Sequence, residues 1–345
     1  MVWSRAISFL LPLSLSCTTM LAGCDMVLLR PSGYVAAQQG HLVVISTLLM
    51  LLIIVPVIAL TLVFAWRYRE SNTTAPYTPE WDHSIQLELV IWATPLLIII
   101  ALGALTWIGT HTLDPYRPLT RIDSSRPLSF EAEPLNIEVV ALDWKWLFIY
   151  PDHGIAVVNE LAAPVDIPIH FKITASSVMN SFFIPALAGQ IYAMPSMATT
   201  LHAIINRPGE FEGFSANYSG AGFSDMRFKF RGVNAGEFDS WLQKAKASKD
   251  ELTRDAYLEL EKPSAREPVR RYRAVATDLF DAVVNRCVEQ GKMCLREMMA
   301  MDAHRPYGRQ SAAEPIALNL GLLDAAVCRA DNSAAGALLP SVYRD

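Results

Sequence analysis

Three kinds of side chain in this sequence could do chemistry. Cys24 is a thiol that directly follows the small residues Ala22 and Gly23. Glu88 is a carboxylate at the start of a long apolar run. Soft sulfur recurs later, as the thioethers of Met179, Met194, Met197 and Met226 and the thiols of Cys287, Cys294 and Cys328. A nucleophilic thiol at the end of a leader can be acylated, a carboxylate at a membrane edge can pass protons, and soft sulfur can hold copper. What each residue does depends on the element that carries it.

The carriers begin with a membrane segment. Of 345 residues 52% are hydrophobic and only 18% charged, so apolar mass exceeds what a soluble domain buries. The net charge of −5 excludes the basic footprint of a nucleic-acid binder, and five cysteines are too few for a disulfide scaffold. Arg5, the apolar run Ala6 to Leu15 and the small residues after it follow the plan of a secretory signal over 1–23. His41 to Trp66 and Leu89 to Gly109 are long enough to cross a bilayer, and they tolerate Pro56 and Pro95 there. Trp66, Trp92 and Trp107 lie toward the ends of these runs, where aromatic belts form.

Leu21-Ala22-Gly23-Cys24 resembles the lipobox of bacterial lipoproteins. That resemblance implies cleavage before Cys24, acylation of its thiol and new amino terminus, and retention in the inner membrane by Asp25. An exported start makes the first span run inward. The loop Arg67 to Glu88 is then cytoplasmic, and everything after Thr110 is periplasmic. Arg67 and Arg69 agree with the positive-inside rule, whereas Arg117, Arg121 and Arg126 do not.

After a linker over 113–134 the pattern changes. Asn136 to Tyr150 reads as a strand or hairpin arm, and Val165 to Ala175, Thr199 to Ile205 and Met226 to Val233 alternate like strands. Strands at this spacing without helices between them predict a β-sandwich over 135–233. Asn234 and Glu237 form a capping-box pattern before a helix with Phe238, Trp241, Leu242 and Ala245 on one face. Asp278 to Gln290 reads as another amphipathic segment, which Gly291 can end. Cys287 and Cys294 can pair if the chain folds back at Gly291; in a continuous helix they are about 10 Å apart, too far to bridge. Residues 234–305 form a helical segment, and 306–345 read as a disordered tail.

Two spans followed by an outer sandwich resemble subunit II of the haem–copper respiratory oxidases. Ala141-Leu-Asp-Trp144-Lys-Trp146 looks like the aromatic segment that opens the cupredoxin domain of that family. Met179-Asn180-Ser-Phe-Phe-Ile-Pro185, Gln190-Ile-Tyr-Ala-Met194-Pro and Pro208-Gly-Glu-Phe211 look closer to one branch, the bo-type ubiquinol oxidases. The implied fold is a two-helix transmembrane hairpin, an all-β cupredoxin-like sandwich and a small helical C-terminal segment.

In the cytochrome c branch the sandwich holds two copper ions on two thiolates, two histidines, a glutamate and a methionine. The corresponding positions here are Asn180, Ala216, Tyr218, Gly220, Ser224 and Arg227, and no cysteine occurs between Cys24 and Cys287. The expectation is a sandwich without a metal or any other cofactor. Its nearby methionines are then core filler, and Trp144 and Trp146 are packing residues. The haems and the catalytic copper are expected in subunit I.

The resemblance also implies a role for Glu88, at the inner mouth of a proton channel. The bland alternative is a carboxylate at a helix start, where the macrodipole favours it. The implied function is a non-redox subunit of a proton-translocating ubiquinol oxidase in the bacterial inner membrane, partnered by subunits I, III and IV, by ubiquinol as substrate of the complex and by lipid. Its rival is a free-standing inner-membrane lipoprotein that binds a ligand or scaffolds a partner.

Overall fold

The structure, a computed structural model, describes residues 27–76, 78–129 and 133–304. The expected signal over 1–23, the acylation site Cys24 and the tail 306–345 lie outside the described residues.

Helices α1 (Tyr34–Arg67) and α2 (Ile85–Thr112) form the hairpin. Their apolar side chains point outward on every face; Leu48, Leu62 and Leu97 are 62%, 65% and 66% exposed. Helices apolar all round and unburied need lipid or another protein around them, unlike core helices of a soluble domain. Both are longer than the expected spans. The 34 residues of α1 measure about 51 Å against about 30 Å of hydrocarbon. The excess lies at the start of α1, where Val35, Ala36 and Gly40 are buried. The Gly33 N–H donates to the Ala186 carbonyl at 2.8 Å, and Gly33 bridges Ile205 of the sandwich. Only glycine fits there, since a Cβ would lie 2.3 Å from the Leu187 carbonyl oxygen.

The sandwich contains β1 (Leu135–Leu142), β2 (Lys145–Tyr150), β3 (Ile155–Val158), β4 (Glu160–Pro164), β5 (Pro168–Ala175), β6 (Asn180–Phe183), β7 (Ile191–Ala193), β8 (Thr199–Ile204), β9 (Gly209–Ser215) and β10 (Arg227–Val233). One sheet runs β3-β2-β1-β5-β8 and the other β4-β10-β9-β6-β7. Between them lie Trp146, Phe148, Phe171, Phe182, Phe228 and Phe230, all at most 3% exposed. Asn136 to Tyr150 is a tight hairpin, with Leu142 opposite Lys145 and Trp144 in the left-handed conformation (φ 65°).

Residues 113–129 are more than a linker. The His202 N–H donates to the Pro115 carbonyl at 3.1 Å, and Arg126 makes a two-pronged pair with Asp166 at 2.8 and 3.0 Å.

The expected capping box starts α3 (Ala235–Lys246), with Glu237 N–H donating to Asn234 Oδ1 at 2.9 Å. Its four predicted apolar residues are buried. The rest differs from a helical segment. It comprises β11 (Glu251–Leu252), α4 (Arg254–Glu261), β12 (Arg270–Tyr272), β13 (Ala274–Val275) and α5 (Leu279–Val284). β12 extends the first sheet beside β3, and β11 pairs with β13. Leu252, Tyr257, Leu260, Phe280 and Val283 cover the back of that sheet against Val140, Leu142, Leu147 and Ile149. This second layer buries the outer face of Val139 to Leu142, Trp146 to Tyr150 and Ile155 to Val158, so these stretches are apolar on both faces.

Asp278 to Gln290 is helical only through Val284 and then turns, which brings Cys287 and Cys294 to a Cα separation of 4.8 Å in a disulfide. Helix α6 (Leu295–His304) ends the described chain.

Candidate functional site

The six positions that the resemblance sets against copper ligands lie at one end of the sandwich. Asn180 opens β6, Arg227 opens β10, and Ala216, Tyr218, Gly220 and Ser224 occupy the loop between β9 and β10. Pairing brings the elements together, Phe182 opposite Ser215 and Phe214 opposite Arg227. Asn180 is 1% exposed and its polar atoms are engaged: Oδ1 accepts from Ser215 Oγ at 3.1 Å, and Nδ2 donates to the Val178 carbonyl at 3.1 Å. The Ala216 N–H donates to the Ser181 carbonyl at 2.9 Å.

Trp144 closes the other side of this loop. Its indole N–H donates to the Ser219 carbonyl at 3.1 Å. Its ring lies so close that a Cβ on Gly222 would sit 2.4 Å from it, and one on Gly220 (φ 112°) 3.3 Å. Tyr218 points to solvent at 75% exposure. Arg227 pairs with Glu212 at 2.8 Å and lies over the Phe214 ring. The Ser224 carbonyl accepts from Arg227 Nε at 3.3 Å. The core-filler expectation holds for Met226, which is buried, but not for Met179 and Met197, which are exposed.

Glu88 lies in the first turn of α2, one turn further into the helix than a span starting at Leu89 implies. Its Oε1 is 2.7 Å from Nδ1 of His83, in the loop that joins the two helices. A carboxylate there also answers the positive end of the helix.

Comparison with known proteins bears on both regions. Residues 151–233 match the family described as cytochrome C oxidase subunit II, periplasmic domain, and residues 246–291 match the COX Aromatic Rich Motif. Cytochrome bo(3) ubiquinol oxidase subunit 2 of Pseudomonas putida is 47% identical over 86% of this chain and 93% of that one. The chain belongs to the cytochrome bo(3) ubiquinol oxidase subunit 2 family. The Pseudomonas aeruginosa relative of the same name is 50% identical over 81% of this chain and 82% of its own. The crystallised periplasmic domain of cytochrome oxidase subunit II from Bradyrhizobium japonicum is 26% identical, with a TM-score of 0.32, over 32% of this chain and 93% of that one.

Two apolar helices and a domain of the periplasmic family fit a membrane-anchored subunit. The aromatic-rich match covers β12 and the layer behind the first sheet, where Tyr257, Tyr272 and Phe280 are buried. Lys145, in the aromatic segment, is 1% exposed and reaches this layer through Nζ, which donates to the Lys262 carbonyl and Ser264 Oγ, each at 2.7 Å. Burial holds its ammonium below the ordinary lysine range.

Sequence reasoning missed two groups. His83 precedes Glu88 by five residues, and a titratable ring so near a membrane-edge carboxylate was a usable signal. Glu160, 2% exposed, pairs with Arg231 at 3.2 Å and with Arg271 of β12. Nothing local in the sequence announces that triad, because its members are far apart along the chain.

Proposed function

We propose that this chain is the non-redox subunit II of a proton-translocating ubiquinol oxidase, held in the bacterial inner membrane with its sandwich in the periplasm. The names of the relatives support the quinol-oxidase assignment. One observation carries the non-redox part: the chemistry of the donor set. The two thiolate positions hold Ala216 and Gly220, which offer no side-chain donor, and Trp144 packs against the loop at Gly220. Soft, paired copper needs bridging thiolates. An amide, a phenol, a hydroxyl and a guanidinium do not replace them, so the dinuclear centre does not fit these residues.

The complex transfers four electrons from two quinols to O2 and forms water. Its haems, catalytic copper and quinol site belong to subunit I, and subunits III and IV complete it. This chain anchors the sandwich through its hairpin and acylated Cys24. The His83–Glu88 contact, at the end of the hairpin away from the sandwich, supports Glu88 as the proton entry. Ionisable groups at a span's edge that face another subunit mark such pathways.

The test is purification of the tagged chain from its membrane. A haem-bearing complex with quinol-dependent oxygen uptake supports the proposal. Recovery of the chain alone, without haem, supports the free-standing lipoprotein instead.

A further inference from the structure

The start of α1, the end of α2 and the sandwich meet in a corner that holds two adjacent cavities. The upper one, about 370 Å³, is lined among others by Tyr34, Gln38, Asp114, Arg117 and His202. The lower one, about 590 Å³, lies between the helices and is lined by Leu42, Ser46, Leu105, Thr106 and Gly109. Gln39, Leu113, Asp114 and Pro115 line both. The corner is fixed at both edges, by Gly33 against the Ala186 carbonyl and by His202 against the Pro115 carbonyl.

Depth along α1 sorts the two cavities. The apolar run starts at His41, so Tyr34 and Gln38 lie above the hydrocarbon, while Leu42 and Ser46 lie within it. Gln38 and Ser46 are about 12 Å apart along the helix. A chamber with charged residues in its wall therefore lies directly above a mostly apolar groove and shares lining residues with it. That is the profile of a molecule with a charged head and a greasy tail.

The charges specify the head. Arg117 and Asp114 line the same chamber, and among the described residues neither is in an ion pair; Arg117 Nη1 donates to the His111 carbonyl at 3.4 Å, and Asp114 accepts the Tyr116 N–H at 2.9 Å. One cation and one anion match the phosphate and ammonium of a zwitterionic headgroup. A purely anionic head would meet Asp114 unfavourably. A quinone ring carries no charge for either residue.

We propose that this corner binds one phosphatidylethanolamine of the outer leaflet, phosphate on Arg117, ammonium on Asp114 and one acyl chain between α1 and α2. The lipid then fills the joint between hairpin and sandwich. The placement rests on the membrane orientation proposed above.

The test is native mass spectrometry of the intact detergent-purified complex, with lipid extraction to identify what remains after delipidation. The wild type is expected to keep one phosphatidylethanolamine per copy of this chain. Arg117→Gln with Asp114→Asn should lower its occupancy at least tenfold, and Thr106→Phe, which fills the lower groove, should do the same. Arg117→Lys should retain the lipid. Unchanged melting temperature and quinol-dependent oxygen uptake in the variants separate loss of lipid from loss of fold or of the oxidase assignment. Equal phosphatidylethanolamine retention in wild type and both disabling variants would overturn the proposal. So would preferential retention of phosphatidylglycerol or ubiquinone at this site.

Discussion

Nδ1 of His83 and Oε1 of Glu88 are 2.7 Å apart, with Ser84, the residue that caps α2, between them in sequence. The contact ties the loop between the helices to the first turn of α2. It also gives the Glu88 carboxylate an imidazole partner within hydrogen-bond distance.

The first prediction follows from that pair. Glu88→Gln, in a complex that still assembles, should slow quinol-dependent oxygen uptake on the order of tenfold, about 1.4 kcal/mol in barrier. His83→Ala should slow it less, because Glu88 remains. Rates are compared per haem. Full activity in both variants would leave Glu88 only as a helix-end carboxylate.

Glu160 supplies a stability prediction. It is buried on β4 and is clasped by Arg231 of β10 and Arg271 of β12, so it joins the second sheet to the strand added at the edge of the first. Glu160→Ala strands Arg271 and leaves Arg231 only its longer contact to Glu210 at 3.6 Å. Breaking a fully buried pair costs about 3–5 kcal/mol, and both arginines here reach solvent, so about 2 kcal/mol is expected. Chemical denaturation of the purified chain measures it. A change below about 0.5 kcal/mol, within the range of an exposed pair, would contradict the clasp.

His170 and His202 stack across β5 and β8 with ring centroids 4.8 Å apart. Burial holds both below the ordinary 6.5; Lys172 beside His170, and His170 beside His202, act the same way. The unfolded chain therefore takes up protons that the folded pair resists. Their contribution to stability is complete above pH 6.5 and is lost as pH falls through the lowered folded values. Glu138, raised by burial, works in the opposite sense. Melting temperature should fall on acidification, and the His170→Gln/His202→Gln variant should fall less steeply. An identical slope in the two proteins would contradict this.

The disulfide Cys287–Cys294 has a sequence separation of 7. A loop that short is worth about 2.5 kcal/mol on chain-entropy grounds. Replacing both residues by serine should leave the sandwich folded and increase proteolysis between 276 and 300. Digestion no faster than in the wild type would mean the bond is dispensable.

The sequence was most legible where one physical signal acted alone. Unbroken apolar runs announced the hairpin, and Asn234 with Glu237 announced α3, since a cap is a local device. It was least legible where burial came from distant partners. Val139-Val140-Ala141-Leu142 carries no alternation because a layer more than a hundred residues later covers its outer face. The extra turns of α1 were invisible because Val35 and Ala36 pack on Leu187 and its neighbours rather than on lipid. The residue types at the six positions were visible in the sequence, but the hydrogen bonds that occupy Asn180 and the fit of Trp144 over Gly222 needed coordinates.

The central claim is that this subunit handles protons and assembly while holding no copper. Metal analysis of the full-length chain, purified after separation from subunit I and exposed to copper, tests it most directly. The account predicts substoichiometric copper and no visible charge-transfer band. Two tightly held copper equivalents with such a band would contradict it.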